Sequence, residues 1–309
     1  QTLGSGDDHR THVHLHDLAS NTLLLSSRLE FVEPEAFALS PTGDAFAYAN
    51  PRTGELILHR GPEFLPTATN YFGVIKAMAF SPDGKWLATG GEEEQLRIHA
   101  ATDLRVSRSF RGHTSQISAL IWNTDGSRIA SGDSAGEVRL WNQAERSTVV
   151  ATGFKQGGSN PTIVPSPDGR ILAVPGNRST LHLVDGSTLQ IIRSLPDVGM
   201  PLSFTSNQLW TVRSDKALCR VHPNSGERLE EFPLIAFDDA PTGRATHDGS
   251  HALLYTADQI AFTALPPERP IRAIDAEEGA FLDADCSPDG TLTGVILDHA
   301  GEGSVGGAV

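Results

Sequence analysis

Three histidines near the start of the chain alternate along a segment that has the pattern of a β-strand. His12, His14 and His16 would share one face of that strand, because successive side chains of a strand point to opposite sides. Two histidines with this spacing can bind Zn²⁺ together with a third ligand from elsewhere in the fold. His9 and the two aspartates before it stand close by in the sequence. Zinc binding is therefore one hypothesis for this segment.

Other segments lack the complete pattern of the common catalytic and phosphate-binding motifs. Residues 155–160 read Lys-Gln-Gly-Gly-Ser-Asn but lack the Gly-Lys-Ser/Thr ending and the helix of a phosphate-binding loop. A flexible connection is the better interpretation. The sequence has no Gly-x-Ser-x-Gly elbow for a nucleophilic serine. Cys219 and Cys286 lie in apolar stretches typical of buried free thiols, and two cysteines cannot form a disulfide framework. We predict no catalytic residue.

The composition excludes some function classes. The chain has 309 residues, with 38 acidic side chains against 24 Lys and Arg, which gives a net charge of −14. This balance argues against binding to a nucleic-acid backbone, which needs clustered cations. No run approaches the 18 or more apolar residues of a membrane span. No signal-peptide pattern is visible, so we expect a cytoplasmic location.

The basic residues and the first residue carry further expectations about the source. The chain has four Lys against 20 Arg, a bias typical of GC-rich bacterial genomes. It starts at Gln1 without an initiator Met, which indicates a piece of a longer protein.

A polar turn recurs along the chain at a nearly constant interval. Its glycines are spaced by 41, 42, 43, 80 and 41 residues, and the interval of 80 is two periods, with the missing turn near Ser206 and Asn207. Seven turns at a period of about 41 residues therefore cover the sequence. The turns that carry the glycine lie at residues 40–43, 81–84, 123–126, 166–169, 246–249 and 287–290.

Each turn stands between short segments that alternate like strands. An apolar run such as 74–80 precedes the turn, a small-residue run such as 86–90 follows it, and an alternating run such as 95–99 comes next. A fourth run completes the unit, so the chain is predicted to be all-β. Four-stranded units of this length cover one another when they stack around an axis. The pattern predicts a seven-bladed β-propeller of four-stranded antiparallel blades that forms a single domain over residues 1–309.

The two ends of the chain are complementary. Residues 1–30 contain two segments of the outer-strand type, at 11–17 and 22–29, and residues 280–297 contain two of the inner-strand type. We predict that these four strands form one shared blade, which closes the ring and leaves no open edges.

The third full repeat carries a family resemblance. Its residues Arg111-Gly112-His113, the run 129–132 and the run 138–142 resemble the Gly-His start, the serine-bearing second strand and the Trp-Asp ending of a WD40 repeat. In that family a His, a Ser or Thr, an Asp and a Trp form a structural hydrogen-bonded tetrad. The resemblance places His113, Ser131 and Trp141 in three of these positions. Ala135 stands where the acid is expected, although Asp133 is near.

The resemblance implies a platform that binds a protein partner on one rim, without cofactor or catalytic residue. Family members use the positions of the three early histidines for packing, so no metal ion is predicted there. The loops before the innermost strands and those between the second and third strands share one rim, and large aromatic and Arg side chains tend to dominate interfaces. The predicted partner-binding residues are Tyr71, Phe72, Arg111, Arg178, Asp238, Asp239, Glu277 and Glu278.

The charge is unevenly distributed between the repeats. Residues 1–220 contain 22 acids and 20 bases, whereas residues 221–309 contain 16 acids and four bases. The four acidic rim residues therefore predict an electronegative sector that suits a partner with a basic surface.

Two function classes follow. The favoured one is a non-catalytic interaction, scaffold or sensor module, with an effector domain attached in a longer polypeptide. The alternative is a propeller hydrolase similar to the lactonases, which hold a metal at the mouth of the central channel. Asp283 and Asp285 are the carboxylates that the sequence places on an innermost strand, a poor ligand set for Ca²⁺.

Overall fold

The computed structural model describes residues 10–17, 22–28, 36–61, 65–143, 148–151, 154, 163–176, 180–205, 208–245, 250–267, 274–275, 280–286 and 292–299. All regular structure in these residues is β-structure, with short strands of β-branched, aromatic and small residues between polar turns. In the part described, no helix is long and apolar enough to cross a membrane.

The strands are numbered in chain order. The first group is β1 (Arg10–Asp17), β2 (Thr22–Arg28), β3 (Phe37–Leu39), β4 (Ala45–Asn50), β5 (Glu55–Arg60), β6 (Leu65–Tyr71), β7 (Ile75–Phe80), β8 (Trp86–Gly91), β9 (Gln95–Ala100) and β10 (Val106–Arg111). The second group is β11 (Ile117–Trp122), β12 (Arg128–Asp133), β13 (Val138–Asn142), β14 (Thr148–Ala151), β15 (Val164–Pro165), β16 (Ile171–Pro175), β17 (Thr180–Asp185) and β18 (Ile191–Pro196). The last group is β19 (Met200–Thr205), β20 (Gln208–Arg213), β21 (Ala217–Val221), β22 (Arg228–Pro233), β23 (Thr242–Ala245), β24 (His251–Tyr255), β25 (Gln259–Ala264), β26 (Ile274–Asp275), β27 (Ala280–Cys286) and β28 (Leu292–His299).

These strands pair into seven four-stranded antiparallel sheets within the described residues. Six sheets are consecutive in the chain, and we call them the first to sixth blades: β3–β6, β7–β10, β11–β14, β15–β18, β19–β22 and β23–β26. Innermost strands of successive blades contact one another, as β3 does with β7, β7 with β11, β15 with β19 and β19 with β23. The chain is therefore an all-β propeller with four-stranded antiparallel blades.

The seventh sheet, called the closing blade, combines both ends of the chain. Its order is β2-β1-β28-β27, and β1 pairs with β28 in a continuous register from Arg10↔His299 to Asp17↔Leu292. The innermost strand β27 contacts both β23 and β3. The predicted pairing of N-terminal outer strands with C-terminal inner strands is confirmed, and it closes the ring between the sixth and first blades.

The repeated polar turn owes its recurrence to one hydrogen-bonding pattern. In the second blade, Ser81 Oγ donates to Asp83 Oδ1 at 2.6 Å and accepts from the backbone N–H of Trp86 at 3.0 Å. Gly84 donates to the Ser81 carbonyl at 2.8 Å with φ of 67°, a conformation that favours glycine. The Ser81 hydroxyl lowers the pKa of Asp83. Residues 166–171 repeat the pattern, so these turns serve the fold.

The core fills the space between neighbouring blades. Leu96 and Ile98 of β9 pack with Ile117, Ile129 and Trp141 of the third blade in one buried cluster. Several outer strands carry a β-bulge near their start, including β2, β10, β18 and β22. These bulges interrupt the edge that the propeller presents to solvent, which disfavours edge-to-edge association.

Candidate partner-binding rim

One rim of the propeller is built from two kinds of loop that are bonded to each other. Phe72, in the connection from β6 to β7, donates its N–H to the Gly54 carbonyl in the β4–β5 turn at 2.9 Å. In the third blade, Ser134 after β12 donates to the carbonyl of Gln116 before β11 at 3.0 Å. The polar Asp-Gly turns join the other ends of the strands. This rim, called the connection rim, is therefore a cross-bonded surface rather than a set of independent loops.

The third blade contains a buried polar network directly beneath this rim. His113 Nε2 lies 2.6 Å from Ser131 Oγ, and Trp141 Nε1 donates to the same hydroxyl at 2.7 Å. His113 Nδ1 lies 2.9 Å from Asp133 Oδ2. All four residues are buried. The predicted arrangement of His113, Ser131 and Trp141 is present, and the network joins the second and third strands of the blade to the connection before it.

The acid of this network is Asp133, so the assignment of the family's acidic position to Ala135 is wrong. Asp133 ends β12, and its Oδ1 accepts the backbone N–H groups of Ala135 and Glu137 at 3.0 and 2.9 Å. One carboxylate thus closes the β12–β13 turn and reaches the histidine at the same time. Ala135 lies within the turn and carries no side-chain acceptor.

The histidine of this network is neutral because it is buried. Burial lowers the pKa of His113, and the carboxylates of Asp133 and Glu137 oppose that shift only in part. A carboxylate can only accept, so Nδ1 carries the proton and Ser131 donates to Nε2. The donors then run in one direction, from Trp141 through Ser131 and His113 to Asp133.

Two histidine groups bear on metal binding. Potential ligand atoms of His113, Asp133 and Glu137 lie within 4.8 Å of one another, and this is the one such group among the described residues. Because both ring nitrogens of His113 and both oxygens of Asp133 already hold hydrogen bonds, we assign the group a structural role. The rings of His12 and His14 lie 6.2 Å apart, and the side chain of His16 lies outside the described residues.

The first and second blades contain shorter versions of this network. In the second blade, Thr89 Oγ1 lies 2.8 Å from His99 Nε2, and in the first blade the Tyr48 hydroxyl lies 3.2 Å from His59 Nε2. The strand register places each histidine where Trp141 stands in the third blade. A ring on the third strand and a hydroxyl on the second strand therefore recur in the first three blades.

The predicted rim residue Phe72 is partly committed to the core. Its ring lies 4.6 Å from the ring of His99, and the Arg97 guanidinium lies 5.6 Å from its centroid. Phe72 is half-buried, and its ring contacts the third-strand ring of the second blade, as the ring of His113 contacts Trp141 in the third blade. It offers a partner less area than the sequence suggests. Tyr71 ends β6, and its side chain lies outside the described residues.

The other predicted rim residues fall in separate sectors. Arg111 is exposed at the end of β10, between the second and third blades, whereas Asp238 and Asp239 are exposed between the fifth and sixth. Three steps around the ring separate these positions. Arg178, Glu277 and Glu278 lie outside the described residues. The structure thus does not bring the predicted residues into one patch.

Sequence reasoning missed several residues of the connection rim. Arg139 forms an ion pair with Glu137 and lies 5.8 Å from the ring centroid of Trp141, and Arg97 forms the matching pair with Glu93. The alternation of β9 and β13, with one Arg two residues before the ring, was the available signal. Ile235, which is 85% exposed, was also missed, because no periodic pattern marks a turn residue.

Comparisons with known proteins agree with this architecture. Residues 66–99 and 104–142 each match the model of the WD domain, G-beta repeat. These two segments are therefore similar to WD40 repeats. The serine-threonine kinase receptor-associated protein of Mus musculus is 28% identical over 203 residues, which cover 62% of this chain and 55% of that protein. The chain thus spans about half the length of the curated relatives it matches.

Further relatives share shorter regions. Transcription initiation factor TFIID subunit 5 of Caenorhabditis elegans is 27% identical over 118 residues, or 38% of this chain and 18% of that protein. Protein HIRA of Zea mays is 26% identical over 95 residues, or 25% of this chain and 10% of that protein. These relatives are eukaryotic, so the bacterial source inferred from the Lys-to-Arg ratio is not supported. That ratio reports nucleotide composition, which is not specific to one group of organisms.

Proposed function

We propose that this chain is a non-catalytic interaction platform of the WD40 type, which binds a protein partner on the connection rim. The observation that carries the proposal is the construction of that rim, where connections and turns of neighbouring blades hydrogen-bond to each other and still expose Arg111, Asp238 and Asp239. A surface ordered before binding loses less conformational entropy when a partner docks.

The names of two relatives support the same proposal. One is described as associated with a serine-threonine kinase receptor, and another is a subunit of a transcription initiation factor. Both names describe proteins that assemble with other proteins. We extend to this chain only the general property of binding another protein, not a particular partner. A cytoplasmic location stays a prediction.

The hydrolase alternative has no observation in its favour. Its two carboxylates, Asp283 and Asp285, have side chains outside the described residues. Burial raises the pKa of the Cys219 thiol to about 11, so this group is protonated and a poor nucleophile at neutral pH. Metal analysis of untagged protein tests the alternative. Stoichiometric metal that is lost in Asp283→Asn/Asp285→Asn would favour it.

Affinity purification from cells of the source organism tests the platform. The rim variant is Arg111→Ala, Arg178→Ala, Asp238→Asn and Asp239→Asn. A matched variant changes two Arg and two acids on the opposite rim, at Arg105, Arg170, Asp103 and Glu227, with the same charge changes. Some proteins should be retained by both the wild type and the matched variant. We expect the amount of these proteins retained by the rim variant to be at least about fivefold lower. Equal retention by all three proteins would contradict the proposal.

A further inference from the structure

The segment between the fifth and sixth blades presents an apolar side chain on a rigid support. Residues 234–237 form a turn, in which the Phe237 N–H donates to the Leu234 carbonyl at 3.2 Å. Leu234 and Phe237 are buried, in one cluster with Trp210 and Leu254 of the two blades. Ile235 lies between these two anchors and is 85% exposed, the most exposed large hydrophobic side chain among the described residues.

Hydrogen bonds from both neighbouring blades fix the same segment. Leu234 donates its N–H to the Lys216 carbonyl at 2.8 Å. Lys216 Nζ returns to the segment and donates to the carbonyls of Phe237 and Asp238 at 3.0 and 3.2 Å. The N–H of Asp238 donates to Gln259 Oε1 at 2.8 Å. The position of Ile235 is therefore set before any partner arrives.

Several of the other exposed aliphatic side chains have a different explanation. Ile191 and Ile192 lie at the bulge of β18, and Leu229 lies at the bulge of β22. These residues stand on the outer edge, where the bulge turns consecutive side chains outward and interrupts the edge. No such role accounts for Ile235, which stands on the connection rim. Solvent exposure of this side chain costs free energy that a partner could recover.

Charge beside Ile235 defines the chemistry of the partner. Asp238 and Asp239 are exposed directly after the turn, and the Lys216 ammonium beside them is bonded to backbone carbonyls. Residues 221–309 carry 16 acids and four bases. A cationic surface is therefore favoured, whereas an acidic one would be repelled.

We propose that Ile235 is the apolar anchor of a docking site for a basic protein segment, which encloses Ile235 between apolar side chains and places Lys or Arg against Asp238 and Asp239. The site rests on the proposed function, since it specifies which sector of the connection rim binds and what it recognises. Burial of the anchor supplies affinity, and the carboxylates supply orientation and salt dependence.

Selection from a phage-displayed library of random 16-residue peptides on the full chain tests this site. We expect enriched peptides to combine large apolar residues with neighbouring Lys or Arg. A synthetic copy of the best peptide should bind Ile235→Ser at least about tenfold more weakly than the wild type. The matched control is Ile192→Ser, which removes a 56% exposed isoleucine from the outer edge and should change Kd less than about twofold.

Two further variants separate charge from positioning. Asp238→Asn/Asp239→Asn should weaken the peptide several-fold and flatten its salt dependence, whereas Asp103→Asn/Glu227→Gln should not. Lys216→Met removes a positive charge, so electrostatics alone would tighten binding of a cationic peptide. Loss of the two Nζ hydrogen bonds should instead weaken it, since the turn is no longer held. Tighter binding to Lys216→Met would overturn the positioning part of the proposal.

The outcomes distinguish this site from the platform as a whole. Peptides that bind the wild type and Ile235→Ser equally, but lose affinity in Arg111→Ala/Arg178→Ala, would overturn the Ile235 site and leave the platform intact. Enrichment of acidic peptides would overturn the charge assignment. A library that yields no peptide above background would count against both.

Discussion

The second and third blades connect their second and third strands with different side chains. In the third blade, His113, Ser131, Asp133 and Trp141 form one directed chain of hydrogen bonds. In the second blade, the corresponding chain is reduced to Thr89 and His99. The ring of Phe72, in the connection before that blade, lies 4.6 Å from the ring of His99.

The difference shows which part of the network the geometry requires. Both blades place a ring on the third strand opposite a hydroxyl on the second, and the register is the same in both. The second blade has Gly91 where the third has Asp133, so no carboxylate closes its turn in this way. The ring and the hydroxyl join the strands, whereas the acid and the first histidine add a connection to the rim.

The largest effect should come from the residue that distinguishes the two blades. Asp133→Ala removes the nearer carboxylate partner of His113 Nδ1 and the acceptor of two part-buried backbone N–H groups, so unfolding should become easier by about 3 kcal/mol. Urea unfolding measures this, with the exposed Asp103→Ala as control. A loss no greater than that of the control would mean that the acid adds nothing to the third blade.

A smaller pair of effects compares the hydroxyls. Ser131→Ala removes the partner of both His113 and Trp141 and should cost about 2 kcal/mol, whereas Thr89→Val removes one partner of His99 and should cost about 1 kcal/mol. The two free energies of unfolding, measured under identical conditions, give the ratio. Equal losses would show that Ser131 acts through one bond only.

The smallest effect concerns pH in the second blade. Burial lowers the pKa of His99 from its ordinary value to about 4, so protons bind preferentially to the unfolded chain. Stability from this residue is complete above about pH 6.5 and is lost as the pH falls towards 4. Between pH 6.5 and 5.5 the free energy of unfolding should therefore fall by about 1 kcal/mol less in His99→Gln than in the wild type. Some dependence of the free energy of unfolding on pH should remain in this variant, because the pKa of His113 is also lowered. A pH dependence equal to that of the wild type would contradict the assignment to His99.

Much of the architecture follows from local patterns in the chain. The spacing of the Asp-Gly turns, the four strands per unit and the complementary ends predicted the sheets and the closing blade, since turn chemistry and period-2 alternation depend on neighbours in sequence. His113, Ser131 and Trp141 were also predictable, because they stand at fixed places in a repeat. The role of Asp133 was not predictable, because the pattern of the repeat does not distinguish an acid at the end of the second strand from one two positions later in the turn.

The sequence by itself determined the all-β propeller, the shared closing blade and the excess of acid in residues 221–309. Tertiary structure alone decided which side chains a partner could reach. It buries half of Phe72 against His99, separates Arg111 from Asp238, and leaves Ile235 exposed between two buried anchors. The physical reason is that turns and strands arise from local chemistry, whereas exposure depends on how neighbouring blades pack, and residues far apart in the chain set that packing.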